Sequence, residues 1–292
     1  MKRAGFIFFI CILLLAIILR INFLLAPVNK YNDEKIYIEV EKGSNSKEIG
    51  NQLLQKRLIK SKSFFNSWVS LFGIDDNLQA GYYEFKRSYS FQQIIQSLTK
   101  GNIATFRMTI PEGYNVEEIS DKLTKLTDYT KKELLMEAKS KQYLNYLQLP
   151  HNKYKYTLEG FLYPDTYVIP LEFTIQQIYK VMLKHFKSEW WFKLKKVCQS
   201  SSYTPYQIIT IASMIEKEAK LDHEKPIIAG VIYNRLQKNM LLQIDASVQD
   251  ILDKRKKNVL YKDLKTDSPY NTYLHPGLPP GPICNPGDKA IK

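Results

Sequence analysis

The stretch IYIEVEKGSNSKEIGNQL, residues 36–53, decides the fold class. Its first five residues alternate in the period of a half-buried strand. Gly43 then turns the chain. Asn45 and Glu48 stand three apart, the spacing of a capping box that opens a helix. Ile49, Leu53 and Leu54 follow at helical spacing. Strand, glycine turn and capped helix thus fit into one short segment that cannot bury much surface alone. A second helix is expected around Phe64–Phe72, ended by Gly73.

The pattern recurs further along the chain. Val40, Gly43, Asn45, Glu48, Ile49 and Leu53 line up with Ile110, Gly113, Asn115, Glu118, Ile119 and Leu123. Between them, QAGYYEF (79–85) and SFQQIIQSL (90–98) read as another strand, turn and helix. These repeats are expected to pack together as one small α/β module over residues 34–125. The fold class is therefore α+β, with a mixed α/β domain to follow over residues 126–292.

The N-terminus points to a membrane. Residues 4–19, AGFIFFICILLLAIIL, carry no charge, and apolar residues continue to Val28. Together they approach the ~20 residues that span a bilayer. Arg20 near one end can snorkel to the interface. Lys2 and Arg3 precede the run, which holds the N-terminus in the cytoplasm and exports everything after residue 28. A cleaved signal peptide is the rival reading, but its apolar region would be unusually long and no A-x-A site follows. Residues 1–28 therefore read as a cytoplasmic stub and a single-pass anchor.

The 292 residues carry a formal net charge of +13. Such a surface attracts nucleic acid, anionic lipid or acidic polysaccharide. The densest basic cluster is the four-residue run Lys254-Arg255-Lys256-Lys257. No basic region or zinc spacing of a nucleic-acid module is present, so nucleic acid is not an expected partner. Of the three cysteines, Cys11 lies in the apolar run, while Cys198 and Cys284 could pair in an oxidising compartment. They form no CxxC, and no metal or cofactor is expected.

Three later segments carry polar groups in apolar frames. In TLEGFLYPDTYVIP (157–170), Glu159 and Asp165 sit in hydrophobic surroundings, where carboxylates need partners. Thr204 and Pro205 open a helix through YQIITIASMIEKEAK. Its apolar face comprises Ile208, Ile211, Ala212, Ile215 and Ala219. Glu216 and Glu218 both fall on the margins of that face, where partial burial suits a general acid. The helical wheel does not choose between them. Asn234, Arg235, Gln243 and Asp245 follow within residues 231–249. Three glycines and six prolines make SPYNTYLHPGLPPGPICNPG (268–287) a rigid loop, in which Asn271, Thr272 and Tyr273 offer the amides and ring that sugars favour.

The strand–glycine–helix arrangement resembles the LysM fold, which binds N-acetylglucosamine-containing glycans. More of the chain matches a second pattern. LEGFLYPDTY (158–167), IASMIEKEA (211–219), NRL (234–236), LQIDASV (242–248) and YNTYLHPGLPPGPICNPG (270–287) occur in this order. They closely resemble the endolytic murein transglycosylase family, MltG or YceG-like. PEG (111–113), QAGYYEF and the N-terminal anchor fit the same family.

The resemblance implies an inner-membrane lyase without a cofactor. It cleaves between N-acetylmuramic acid and N-acetylglucosamine in nascent peptidoglycan, leaves 1,6-anhydro ends, and thereby ends glycan elongation. Its glutamate is the first of the E-K-E, which falls on Glu216. Asn234, Arg235, Gln243, Asp245, Asn271 and Tyr273 match family motif positions and are expected to line the glycan cleft. Arg235 is alternatively a brace for a structural carboxylate, with Asp245 as its partner. The expected partners are peptidoglycan strands and the synthases of the elongation machinery. Two departures stand out. Ser247 and Gln249 replace the usual Thr and Tyr, and family members continue past the NPG motif where this chain stops. An incomplete catalytic domain would leave a membrane-anchored peptidoglycan-binding protein. Other readings are a hydrolase pairing Glu216 with a second carboxylate such as Asp245, and a tethered polyanion binder.

Overall fold

The computed structural model of the chain describes residues 2–149, 155–252, 256 and 258–292. It is a mixed α/β protein that separates into two compact units. Unit 1 holds residues 1–105 and 170–172, and unit 2 holds residues 106–169 and 173–292. Of the basic run at 254–257, only Lys256 falls within the described residues.

Unit 1 begins with helix α1 (Lys2–Leu25). Its segment Phe6–Leu25 is long and apolar enough to cross a membrane, and none of it is buried in the protein. Strand β1 (Lys35–Val40) and helices α2 (Ser46–Gln55) and α3 (Lys62–Phe72) follow. Strand β2 (Gly81–Lys86) and helix α4 (Phe91–Lys100) complete the unit's regular elements. β1 and β2 pair antiparallel, with Ile36 opposite Phe85 and Ile38 opposite Tyr83. That register puts alternate side chains inward. Ile36, Ile38, Val40, Tyr83 and Phe85 meet Ile49 and Leu53 of α2, Phe65 and Val69 of α3, and Phe91, Ile94 and Leu98 of α4. Each large apolar side chain withdrawn from water contributes roughly 1.5–3 kcal/mol, so this one cluster holds the unit together. The expected capping box forms: the Asn45 side chain accepts from Glu48 N, and Glu48 accepts in return. Gly73 ends α3 in the left-handed conformation, which strains any residue that carries a side chain.

Unit 2 begins with β3 (Thr105–Thr109), α5 (Val116–Leu123), α6 (Lys131–Ala138) and α7 (Gln142–Leu147). Next come β4 (Thr166–Pro170), which pairs with β3, and helices α8 (Ile175–Phe186) and α9 (Phe192–Val197). The remaining helices are α10 (Pro205–Glu218), α11 (Lys225–Gln237), α12 (Asp245–Ile251) and the short α13 (Asp288–Ile291). The unit boundary at 105/106 lies ahead of the module edge expected at residue 125. The last repeat does form locally, with an Asn115–Glu118 capping box on α5. Its strand, however, finds its partner in β4, and Tyr156 and Glu159 reach α5 from within unit 2. Sequence repetition fixed the local shape and left the packing partner open.

α10 is the central helix of unit 2. Thr204 caps it, Pro205 occupies its first turn, and residues 209–215 are buried all round. The expected one-sided apolar face is thus a core helix. Its polar members are satisfied within the core. Thr210 Oγ1 donates to Tyr206 O, and Ser213 Oγ donates to Thr210 O while accepting from Ile283 N. Cys198 and Cys284 are unpaired; Cys284 is buried with its thiol directed at Ser213 O.

Candidate active site

Glu216 stands on the last turn of α10, where the helix leaves the core. Its side chain keeps 10% exposure. Gly287 N–H donates to Oε2 at 3.0 Å. Lys225 Nζ lies 3.4 Å from both carboxylate oxygens. On a third side is Gly113, where a Cβ would stand 3.6 Å from Glu216 Cγ. Three segments distant in sequence therefore converge on one carboxylate: the PEG turn, the start of α11 and the NPG loop.

Lys225 is itself nearly enclosed, with 7% of its side chain exposed, and also lies 3.2 Å from Asp222 Oδ1. Burial pulls its pKa down, but the charges and hydrogen bonds of Glu216 and Asp222, with Glu112 further off, raise it on balance. The ammonium stays charged across the neutral range. Gly287 has no side chain to spare, because a Cβ there would overlap the Glu112 carboxylate.

Asn285 joins the converging segments. Its backbone exchanges hydrogen bonds with the turn, as Gly113 N donates to Asn285 O and Asn285 N donates to Tyr114 O, both at 2.9 Å. Its side chain accepts from Leu162 N at 2.8 Å and donates to Tyr114 O at 2.8 Å. It also donates to Glu159 Oε1 at 3.3 Å. Glu159 in turn accepts from Val116 N through both oxygens, at 3.2 and 3.1 Å. Glu159 is thus a buried strut beneath the site. Asp165, its companion in the same motif, is exposed and meets His185 Nδ1 at 3.3 Å.

Burial pushes Glu159 well above the usual carboxylate range, reinforced by the charge of Asp250 and opposed by Val116 N–H and the charges of Lys155 and Lys217. The folded state therefore holds a proton that the unfolded chain releases from about its ordinary value of 4.5 upward. Glu159 favours folding most on the acid side, and that contribution is lost as pH rises through the raised value. Glu159→Gln is expected to flatten this fall, read as the difference in thermal midpoint between variant and wild type from mildly acidic to mildly alkaline pH. A difference independent of pH would contradict it.

The second acid of the E-K-E is already engaged. Glu218 Oε1 accepts from Ala246 N at 3.1 Å, satisfying the first turn of α12. Lys217, between the two acids, lies 3.8 Å from Glu118.

The six other expected residues lie on α11, α12 and the loops beside them. No hydrogen bond or ion pair joins any of them to Glu216 among the described residues. Arg235 donates to the Leu242 carbonyl and braces the turn after α11. The carboxylate of Asp245 is held by Tyr273 Oη at 2.5 Å, so its bonded partner is Tyr273 and not Arg235. Burial, and then this bond, push the Tyr273 phenol up to about 12. Asn271 is fully buried: its amide donates to Leu264 O and Thr266 O, and its oxygen accepts from Tyr273 N. Asn234 and Gln243 are exposed. Gln243 adopts a left-handed backbone (φ 48°) and donates its N–H to Thr272 O. Ser247 bridges Ile244 O and Thr272 Oγ1 inside the same frame.

Lys225, Gly287 and Asn285 were not legible as site residues. A lysine at a helix start reads as a solvated charge, and a glycine or asparagine in a proline-rich loop reads as turn chemistry.

The geometry agrees with what the chain is similar to. A family model described as the YceG-like family matches residues 38–292. An endolytic murein transglycosylase of Bacillus subtilis (strain 168) is 34% identical over 90% of this chain and 76% of its own length. One from Streptococcus pneumoniae R6 is 30% identical over 92% of this chain, which spans 53% of that longer protein. The crystal structure of a YceG-like protein from Listeria monocytogenes superposes with a TM-score of 0.58 at 33% identity, covering 89% of this chain and 88% of that one. The chain belongs to the YceG-like family, a family of endolytic murein transglycosylases.

Proposed function

We propose that this protein is a membrane-tethered lytic transglycosylase that cuts peptidoglycan strands between N-acetylmuramic acid and N-acetylglucosamine, with Glu216 as its single acid/base. The observation that carries the reading is the setting of Glu216: one nearly buried carboxylate held by a backbone N–H and a lysine at the open end of a rigid core helix. In the first step Glu216 gives its proton to the leaving glycosidic oxygen as the C1–O bond breaks. The Lys225 ammonium and the Gly287 amide complement the negative charge left behind. In the second step the carboxylate takes the proton of the muramic 6-hydroxyl as that oxygen closes on C1. The bond is exchanged within the sugar, Glu216 regains its proton, and no water is consumed. A hydrolase needs a second carboxylate placed across the sugar ring, and Asp245 is occupied by Tyr273.

Asn234, Gln243 and Tyr273 line the approach for the glycan in this reading, while Arg235, Asp245 and Asn271 shape the frame that presents them. Unit 1 acts as a LysM-like glycan-binding module. α1 anchors the chain in the inner membrane with Lys2 and Arg3 on the cytoplasmic side and both units outside, where the strands and their synthases are. Mass spectrometry of fragments released from purified peptidoglycan tests the chemistry. Anhydromuramoyl ends are expected. Reducing ends carrying oxygen from labelled water would replace the lyase with a hydrolase.

A further inference from the structure

Unit 1 is fastened to the end of α1 at two points. Lys60 Nζ donates to the Phe23 carbonyl at 2.7 Å and sits 4.1 Å above the Phe23 ring. Asn29 N, just past the helix, donates to Arg87 O at 3.1 Å. Phe23 belongs to the last turn of the apolar segment. These bonds set the α2–α3 turn and the end of β2 at the depth where the helix leaves the hydrocarbon.

Next to these fastenings lies a recess of about 480 Å³, whose walls include Lys56, Arg57, Arg87, Tyr37 and Tyr82. The two tyrosine rings stack at 5.5 Å, within 9° of parallel. Lys56 and Arg57 are exposed and form no ion pair among the described residues. Arg87 pairs through Nη1 with Glu34 at 3.3 Å, but its buried Nε has no hydrogen-bond partner. The two exposed cations Lys56 and Arg57, with the Arg87 guanidinium in the same wall, match a phosphate group. Tyrosines are at home at the depth of headgroups, and Tyr31, in the linker after α1, is 93% exposed.

We propose that this recess binds the phosphate of an anionic phospholipid in the leaflet from which α1 emerges, so that unit 1 lies on the membrane surface. The proposal rests on α1 spanning the bilayer. It gives the exposed basic surface a partner that the sugar chemistry at Glu216 does not.

The test uses the full chain in nanodiscs of phosphatidylcholine alone or mixed with phosphatidylglycerol. Two variants accompany it. Lys56→Gln neutralises an exposed side chain. Arg57→Gly removes a charge at a left-handed position (φ 54°) that glycine adopts without strain, so the fold is kept. Phosphatidylglycerol should slow amide exchange over residues 54–60 and 82–87 and be enriched among lipids retained by the protein. Each substitution should lower that enrichment about fivefold, as expected for one basic residue near an anionic surface. Equal exchange in both lipids, or enrichment unchanged by both substitutions, overturns the proposal. Failure of the protein to co-migrate with either nanodisc would instead strike at α1 as a span, and the proposal falls with it.

Discussion

Glu216→Gln is expected to lower the release of glycan fragments by at least about a thousandfold, since acid–base catalysis supplies 10²–10⁴ and one residue serves both steps in the proposed mechanism. The substitution is well matched to the site. Its amide oxygen can still accept from Gly287 N–H, and Lys225 retains Asp222. What is lost is the proton that must move. Glu218→Gln is the control: it weakens the contact to Ala246 N at the start of α12, an effect of about 1 kcal/mol on stability, and should leave most turnover intact. Fragment release within tenfold of wild type by Glu216→Gln, with its thermal midpoint unchanged, would move the acid elsewhere.

The second large effect is on stability. Gly160 holds φ at +87°, and a Cβ there would lie 2.5 Å from Pro282 Cγ and 2.9 Å from Ile209 Cγ2. Neither neighbour can yield, because one is a ring in the proline-rich loop and the other lies in the core of α10. Gly160→Ala combines left-handed strain of about 1–3 kcal/mol with overpacking of about 1–3 kcal/mol. A loss of roughly 2–6 kcal/mol is a large part of the 5–15 kcal/mol that holds a typical domain. Urea unfolding in detergent should show a lower midpoint at an unchanged slope. A shift below about 1 kcal/mol would mean that the loop moves aside.

Much of the local fold was legible because its signals are local. Asn45, Asn115 and Thr204 open helices by bonding to amides three residues on, and Gly73 closes one by a backbone angle. The assignment of residues 106–125 to one unit or the other was not legible, since Phe106, Met108 and Ile110 bury equally well against any apolar partner. In the site, the wheel placed Glu216 and Glu218 alike, and only the resemblance separated them. The structure supplies a physical difference: Glu218 is engaged by the first turn of the next helix, while Glu216 meets groups from residues 113, 225 and 287. Long-range convergence of that kind leaves no periodic trace in a sequence.

The stitching by Asn285 also sets an order of events. Its bond to Tyr114 closes a loop of 171 residues, and the bond from Gly287 to Glu216 closes one of 71. Contacts so distant along the chain form slowly, after local helices and hairpins are in place. A folding chain can thus hold a complete α10 and a folded first unit before residues 285–287 close on Glu216. On the proposed function, the acid would then be completed only in a late stage of folding, once these long-range contacts close.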